Sequence, residues 1–128
     1  MRLYEILKQQ AVFVVAPIEG GYAATTRASD RGEHGRIGLP GGKVDDGETL
    51  VQAAYRESYE EGFIMHGINE TPIHNEERDG FNVTWFEAAK ATRLEDYKEK
   101  HRIKNIIVSI DELANSGFGN SFLRGRYR

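Results

Sequence analysis

Residues 42–61 read GKVDDGETLVQAAYRESYEE, and the spacing inside this stretch decides more than any other part of the chain. Five residues separate Gly42 from Glu48, and seven separate Glu48 from Arg56, which opens the run Arg56, Glu57, Glu60 and Glu61. Six positions specified at roughly 6% each coincide on the order of once in 10⁷ registers, so chance is a poor explanation in one short chain. Asp46-Gly47-Glu48-Thr49 is turn chemistry, and Thr49 followed three residues later by Gln52 has the form of a capping box that starts a helix at Leu50. Gly62 supplies the stop, because glycine tolerates the left-handed conformation that closes a last turn. The spacing therefore predicts a helix over Leu50 to Glu61.

At about 100° per residue, Leu50, Ala53, Ala54, Glu57, Glu60 and Glu61 share one arc of that helix, which gathers three carboxylates on one patch. Like charges at these spacings cost an isolated helix roughly 0.2 to 0.5 kcal/mol per pair, so a cation should offset them. Clustered carboxylate oxygens on a rigid element are what hard divalent ions take as ligands. A solvated acidic face with Arg56 as local partner is the plainer reading of the helix alone. Immediately upstream lies Leu39-Pro40-Gly41-Gly42-Lys43, whose paired glycines let the backbone approach a bound group while Pro40 stiffens the approach.

The pattern resembles the Nudix box of the Nudix hydrolases, G-x5-E-x7-R-E-U-x-E-E-x-G-U with U aliphatic, and the preceding Gly-Leu-Pro-Gly-Gly belongs to the likeness. The resemblance implies an α/β fold, an α/β/α sandwich with a mixed β-sheet between helices. It implies divalent-metal-dependent hydrolysis, with Glu57, Glu60, Glu61 and the carbonyl of Gly41 as ligands to Mg²⁺ or Mn²⁺, and Glu48 and Arg56 bracing the loop against the helix through an ion pair. Glu57 is the first choice to deprotonate the attacking water; Glu99 or Glu95, from a later loop, is the alternative. Two positions depart from the pattern. The aliphatic residue after Arg56-Glu57 is Ser58, which weakens helix packing, and the terminal glycine comes one residue early, as Gly62 rather than at Phe63.

The 128 residues are expected to form a single domain, with no linker, repeat or low-complexity stretch. The absence of cysteine excludes disulfides and thiolate zinc sites and suits a reducing cytosol. The longest apolar run, Ala11 to Ala16, is far short of a membrane span, and the N-terminus lacks the features of a signal peptide, so a cytoplasmic protein is expected. A net charge of −3 gives no footprint for duplex nucleic acid. Arg124, Arg126 and Arg128 read as a solvated or frayed end rather than an RNA-binding tail. The expected partner is a small nucleotide, with no membrane, and a homodimer is left open.

Punctuation gives the rest of the layout. Ala11 to Pro17 reads as a buried strand, Glu19-Gly20-Gly21 as a hairpin turn and Tyr22 to Arg27 as its antiparallel partner. A polar loop covers Ala28 to Arg36, and a short strand around Ile37 to Leu39 leads into the glycines. Phe63 to Asn75 holds another strand, Asp79-Gly80 turns the chain, and Phe81 to Ala91 returns as its partner. Lys104 to Ser109 is a strand, and Asp111 begins a second helix.

Arg27, outside the box, ends the second strand, where many family members place a basic residue near substrate phosphate, with an ordinary surface arginine as the other reading; Lys43, beside Gly42, is a candidate to reach the same phosphate or an ordinary soluble loop residue. His34, His66, His74 and His101 lack metal-ligand spacing. Trp85 and Phe86 point to opposite faces of a strand and are expected in the core, with base stacking as the alternative for one of them. Phe81 and Tyr97 are weaker stacking candidates. No marker for ADP-ribose or dinucleoside polyphosphate substrates stands at its distance beyond the box, since Pro72 is too early and no tyrosine lies between Tyr59 and Tyr97, and the signature of NADH enzymes is absent. That leaves a nucleoside triphosphate or similar small nucleotide as first choice, in the manner of MutT-like members, with ADP-ribose, a dinucleotide cofactor or a dinucleoside polyphosphate as the alternative. The reading from another class is a Nudix-like domain that senses a nucleotide without turnover.

Overall fold

The computed structural model describes residues 9–27, 36–116 and 120–127. The polar loop expected before Arg36, His34 and Arg128 lie outside them. Strands β1 (Gln9–Val15), β5 (Gly41–Lys43), β6 (Phe63–Ile68), β7 (His74–Arg78) and β8 (Phe81–Arg93) form a five-stranded mixed sheet in which β1 runs parallel to β8 and antiparallel to β5. Strands β2 (Pro17–Ile18), β3 (Gly21–Arg27), β4 (Ile37–Gly38) and β9 (Ile103–Val108) form a four-stranded antiparallel sheet. The helices are α1 (Leu50–Glu60), α2 (Ile110–Asn115) and α3 (Leu123–Arg126), with a 3₁₀ turn at Asn120–Phe122 before α3.

Two apolar clusters hold the layers together. Val12, Val14, Ala53, Ala54, Phe63, Met65 and Phe86 join α1 to one side, while Val15, Leu39, Trp85, Leu113 and Leu123 join the C-terminal helices to the other. Adjacent Trp85 and Phe86 thus each anchor a different core, as alternation along β8 requires, and both are buried. Trp85 Nε1 donates to Asn120 Oδ1 at 3.0 Å, so the indole keeps its polar handle satisfied. The expected α/β/α sandwich is what forms, with its strands divided between two sheets.

Local chemistry places the elements. The side chain of Thr49 accepts from Gln52 N at 3.0 Å and that of Gln52 from Thr49 N at 2.9 Å, completing the capping box. The helix closes at Gly62, whose φ is +103°. Ser109 and Glu112 repeat the same box at the start of α2. Glu19-Gly20 and Asp79-Gly80 both have two successive positive φ values, the conformation that tight hairpins favour.

Three expectations are corrected. The antiparallel partners of β3 are β2, β4 and β9, not β1: both edges of β1 are taken by β5 and β8, and the chain changes sheets at Ala16, whose carbonyl accepts from Ala23 N at 2.9 Å. The stretch from Phe63 to Asn75 is two strands, β6 and the start of β7, which pair with successive parts of β8. The basic tail is docked: Leu123 is fully buried, Tyr127 donates to Glu87 Oε2 at 2.6 Å and Arg126 pairs with Glu87 at 3.3 Å.

Ser58 is fully buried in α1, and its Oγ has no hydrogen-bond partner. A buried polar atom left unpaired costs stability that an apolar replacement of similar size recovers. Ser58→Ala is expected to raise the urea midpoint by the equivalent of about 1 kcal/mol. A lowered midpoint would show that the hydroxyl is satisfied.

Candidate active site

Helix α1 meets β5 at the paired glycines with no space to spare. A Cβ on Gly41 would run into the Val12 carbonyl, and one on Gly42 would fall on the Glu57 carboxylate. Gly41 N donates to Glu61 Oε1 at 3.0 Å, so each glycine faces one glutamate. The two glycines serve different contacts: a side chain at Gly41 would push β5 off β1, and one at Gly42 would displace the Glu57 carboxylate.

Arg56 fastens the intervening turn. Its Nε and Nη2 donate to the two oxygens of Glu48 at 2.7 and 2.9 Å, a bidentate pair, and Nη2 also reaches the Lys43 carbonyl at 3.0 Å. Glu48 Oε1 accepts from Asp45 N at 3.0 Å. On the other side Arg56 Nη1 donates to Glu57 Oε1 at 2.9 Å and lies 3.5 Å from Glu60 Oε2. Lys98 Nζ stands 3.7 Å from the same Glu60 oxygen.

These contacts set the charge states. The Arg56 hydrogen bond holds the Glu48 carboxyl below its ordinary range, and Glu48 in turn pushes the guanidinium further up. Burial raises Glu57 against the opposing pull of Arg56. Burial also pushes Glu61 up to about 8, opposed by the Gly41 amide and reinforced by the nearby Glu57 and Glu99 charges. Negative charge on this patch is therefore costly until a cation joins it.

Glu57, Glu60, Glu61, Gly41, Gly42, Lys43, Arg27 and Glu99 all line one cavity of about 950 Å³. Glu48 and Arg56 stand outside its lining, and exposed Glu95 does as well. Other cavity residues escaped the sequence reading: Phe13, Thr25, Thr26, Arg36, Arg102 and Asn120. Arg102 pairs with Glu99 at 3.0 Å, and their i,i+3 spacing was the one signal available for it. Tyr97 donates to the Ile103 carbonyl at 2.7 Å and serves the fold, while Phe81 lies under the Lys43 ammonium at 5.6 Å. His66 bonds Thr92, and His74 stacks on Phe122 and meets Glu76 at 3.0 Å.

Among the described residues, no three carboxylate or imidazole groups are drawn around one point as a finished metal site. The donor chemistry nonetheless fits a hard divalent ion. Arg56 occupies only Oε1 of Glu57, and the cluster lines the cavity with carboxyl oxygens, the hard donors such an ion takes once they are ionised.

The sequence pattern described as NUDIX domain matches residues 7–118. The chain belongs to the NUDIX family. The expected Nudix hydrolase stands with that membership. Solved structures agree on the fold. A MutT described for Aliivibrio salmonicida and Vibrio cholerae superposes with a TM-score of 0.70 at 20% identity, covering 93% of this chain and 98% of that one. The MutT NUDIX hydrolase of Burkholderia pseudomallei gives 0.71 at 18% identity, with 94% and 98% covered. A NUDIX hydrolase from Nitrosomonas europaea gives 0.67 at 19% identity, with 93% and 87% covered. Comparison with curated proteins finds no match.

The raised Glu61 carboxyl has a measurable consequence for the NUDIX fold. The native state favours its protonated form, so folding takes up a proton, and stability declines as pH climbs from the ordinary carboxylate range through about 8. In chelator, the melting temperature is expected to fall between about pH 5.5 and 8.5, with Glu61→Gln flattening part of that decline. Parallel curves for the two proteins would contradict the burial cost.

Proposed function

We propose that the chain hydrolyses the pyrophosphate bond of a nucleoside diphosphate linked to another group, with a nucleoside triphosphate or similarly small nucleotide as substrate. The observation that carries this reading is one cavity holding the Glu57–Glu60–Glu61 cluster and Gly41 together with the cations Arg27, Lys43 and Arg102. Its volume of about 950 Å³ lies within the range of small-ligand sites. Acidic groups that want a cation and basic groups that want an anion, side by side, fit a metal-bound polyphosphate better than either partner alone.

Glu57, Glu60, Glu61 and the Gly41 carbonyl would hold Mg²⁺ or Mn²⁺. When bound, such an ion neutralises phosphate oxygens and acidifies a coordinated water. The chain's own residues supply the rest. Arg27 and Lys43 balance the phosphate charge and orient the chain of phosphates along the cavity. Glu57, less acidic than an ordinary carboxyl because it is buried, accepts the proton from the attacking water; Glu99, which lines the same cavity, is the alternative base. Oxygen from water bonds to phosphorus, the bridging P–O bond breaks, and the leaving phosphate carries away the electron pair. No side-chain nucleophile is needed, because positioning and electrostatics carry phosphoryl chemistry.

Localisation in the cytoplasm belongs to the same proposal and is supported by the absence of cysteine. No helix among the described residues is long and apolar enough to cross a membrane.

Incubation with Mg²⁺ and a panel of nucleotides, dinucleotide cofactors and capped RNA is expected to release phosphate-bearing products from the smallest substrates first. Binding without cleavage would replace hydrolysis by sensing. Glu60→Gln is expected to lower kcat by roughly 10² to 10⁴ with the fold intact. Near wild-type turnover by that variant would remove Glu60 from the site.

A further inference from the structure

The early glycine of the box has a partner that the family pattern does not specify. Gly62 leaves α1 with φ +103°, and a Cβ there would collide with the side chain of Asn105. Asn105 comes from the middle of β9, is buried, and does not line the cavity. Its Nδ2 donates to two carbonyls at once, Gly62 at 2.8 Å and Leu94 at 2.8 Å. Arg93 closes the other side, with Nη2 on the Asn105 carbonyl at 2.7 Å and Nε on Oδ1 at 3.4 Å, and Asn105 N donates to the Tyr97 hydroxyl at 3.3 Å. Every polar atom of this buried amide is engaged, which makes its geometry hard to change.

The two carbonyls held by Asn105 belong to opposite sides of the cavity machinery. Gly62 follows Glu60 and Glu61 directly. Leu94 begins the loop 94–102, which carries Lys98, Glu99 and Arg102. That loop is sewn to the helix end by Leu94 N on Gly62 O and by Glu99 N on Glu60 O, both at 2.9 Å. We propose that Asn105 is a positioning residue for hydrolysis: its amide pins the exit of α1 to the Glu99 loop and thereby sets the spacing between Glu60, Glu61 and Glu99. A glycine at position 62 is then required twice, for the left-handed turn and for the room Asn105 occupies. This rests on the hydrolytic reading above.

The test uses Asn105→Asp, which keeps shape and the Oδ1 acceptor while losing the amide donors, with Asn105→Ala beside it. Both are measured in the full chain with Mg²⁺ and the best nucleotide of the panel, and rates are referred to folded protein by melting curves. A small misplacement of reacting groups is expected to lower kcat by about 10- to 100-fold while KM, set by Arg27 and Lys43, moves by less than about threefold. Hydrogen exchange is followed in parallel, since it needs no turnover. The amides of Leu94 and Glu99 are expected to exchange at least about tenfold faster in both variants, with β1 and β8 unchanged. Wild-type kcat in Asn105→Asp, or unaltered exchange at Leu94 and Glu99, would overturn the proposal. A loss shared between kcat and KM and spread over the whole exchange map would reduce Asn105 to ordinary core support and overturn it equally. An inactive wild-type protein would sink the hydrolytic reading instead, and exchange would then decide whether Asn105 pins the loop.

Discussion

The site depends on one guanidinium. Arg56 lies where the turn after β5 meets helix α1, and it answers Glu48, Glu57, Glu60 and the Lys43 carbonyl together. Without it, carboxylates one, three and four residues apart would face one another across a partly desolvated surface. A lysine could not take its place, because the bidentate grip on Glu48 and the simultaneous reach to Glu57 need the planar fork. Arg56 therefore does two jobs with one charge: it ties the glycine turn to the helix, and it offsets the repulsion between Glu57 and Glu60. The glycines are the steric half of the same arrangement, since Gly42 leaves room for the Glu57 carboxylate and Gly41 for the close approach of β1, while the Gly41 amide holds Glu61.

The two departures from the family pattern have different consequences. Ser58 replaces an apolar contact with a buried hydroxyl and sits between helix and sheet without a hydrogen-bond partner, which affects stability more than chemistry. Gly62 is compensated. Its left-handed turn ends the helix one residue before the usual place, and Asn105 fills the space beside it and captures its carbonyl. An irregular helix exit has become a point at which three segments meet.

Features carried by neighbours in sequence were readable: the capping box at Thr49, the stop at Gly62 and the Asp79-Gly80 turn. Each depends on residues within one helix or one turn, so spacing alone encodes it. Pairing was less legible. Nothing in Gln9–Val15 states that β8 will be its parallel neighbour, with Gln9 opposite Phe81 and Val15 opposite Glu87, or that the hairpin with Tyr22 will fall to β2, because a strand buried on both faces reads the same whichever partner takes its edges. The far wall of the cavity was hidden for the same reason. Asn120 and Arg102 reach it from segments well beyond the box, and Asn105 bonds the Gly62 and Leu94 carbonyls from β9, with no short-range motif to mark any of them. The aromatic pair Trp85-Phe86 was legible because alternation on a strand forces the two rings to opposite cores.

The central claim is that the Glu57–Glu60–Glu61 cluster and the Gly41 carbonyl grip a divalent ion beside the phosphates of a nucleotide. Anomalous diffraction from crystals grown with Mn²⁺ and a non-hydrolysable nucleoside triphosphate tests it most directly. Manganese peaks among these oxygens, with phosphate bridging towards Arg27 and Lys43, are the expected result. Nucleotide bound in the cavity with no manganese held by the glutamates would contradict it.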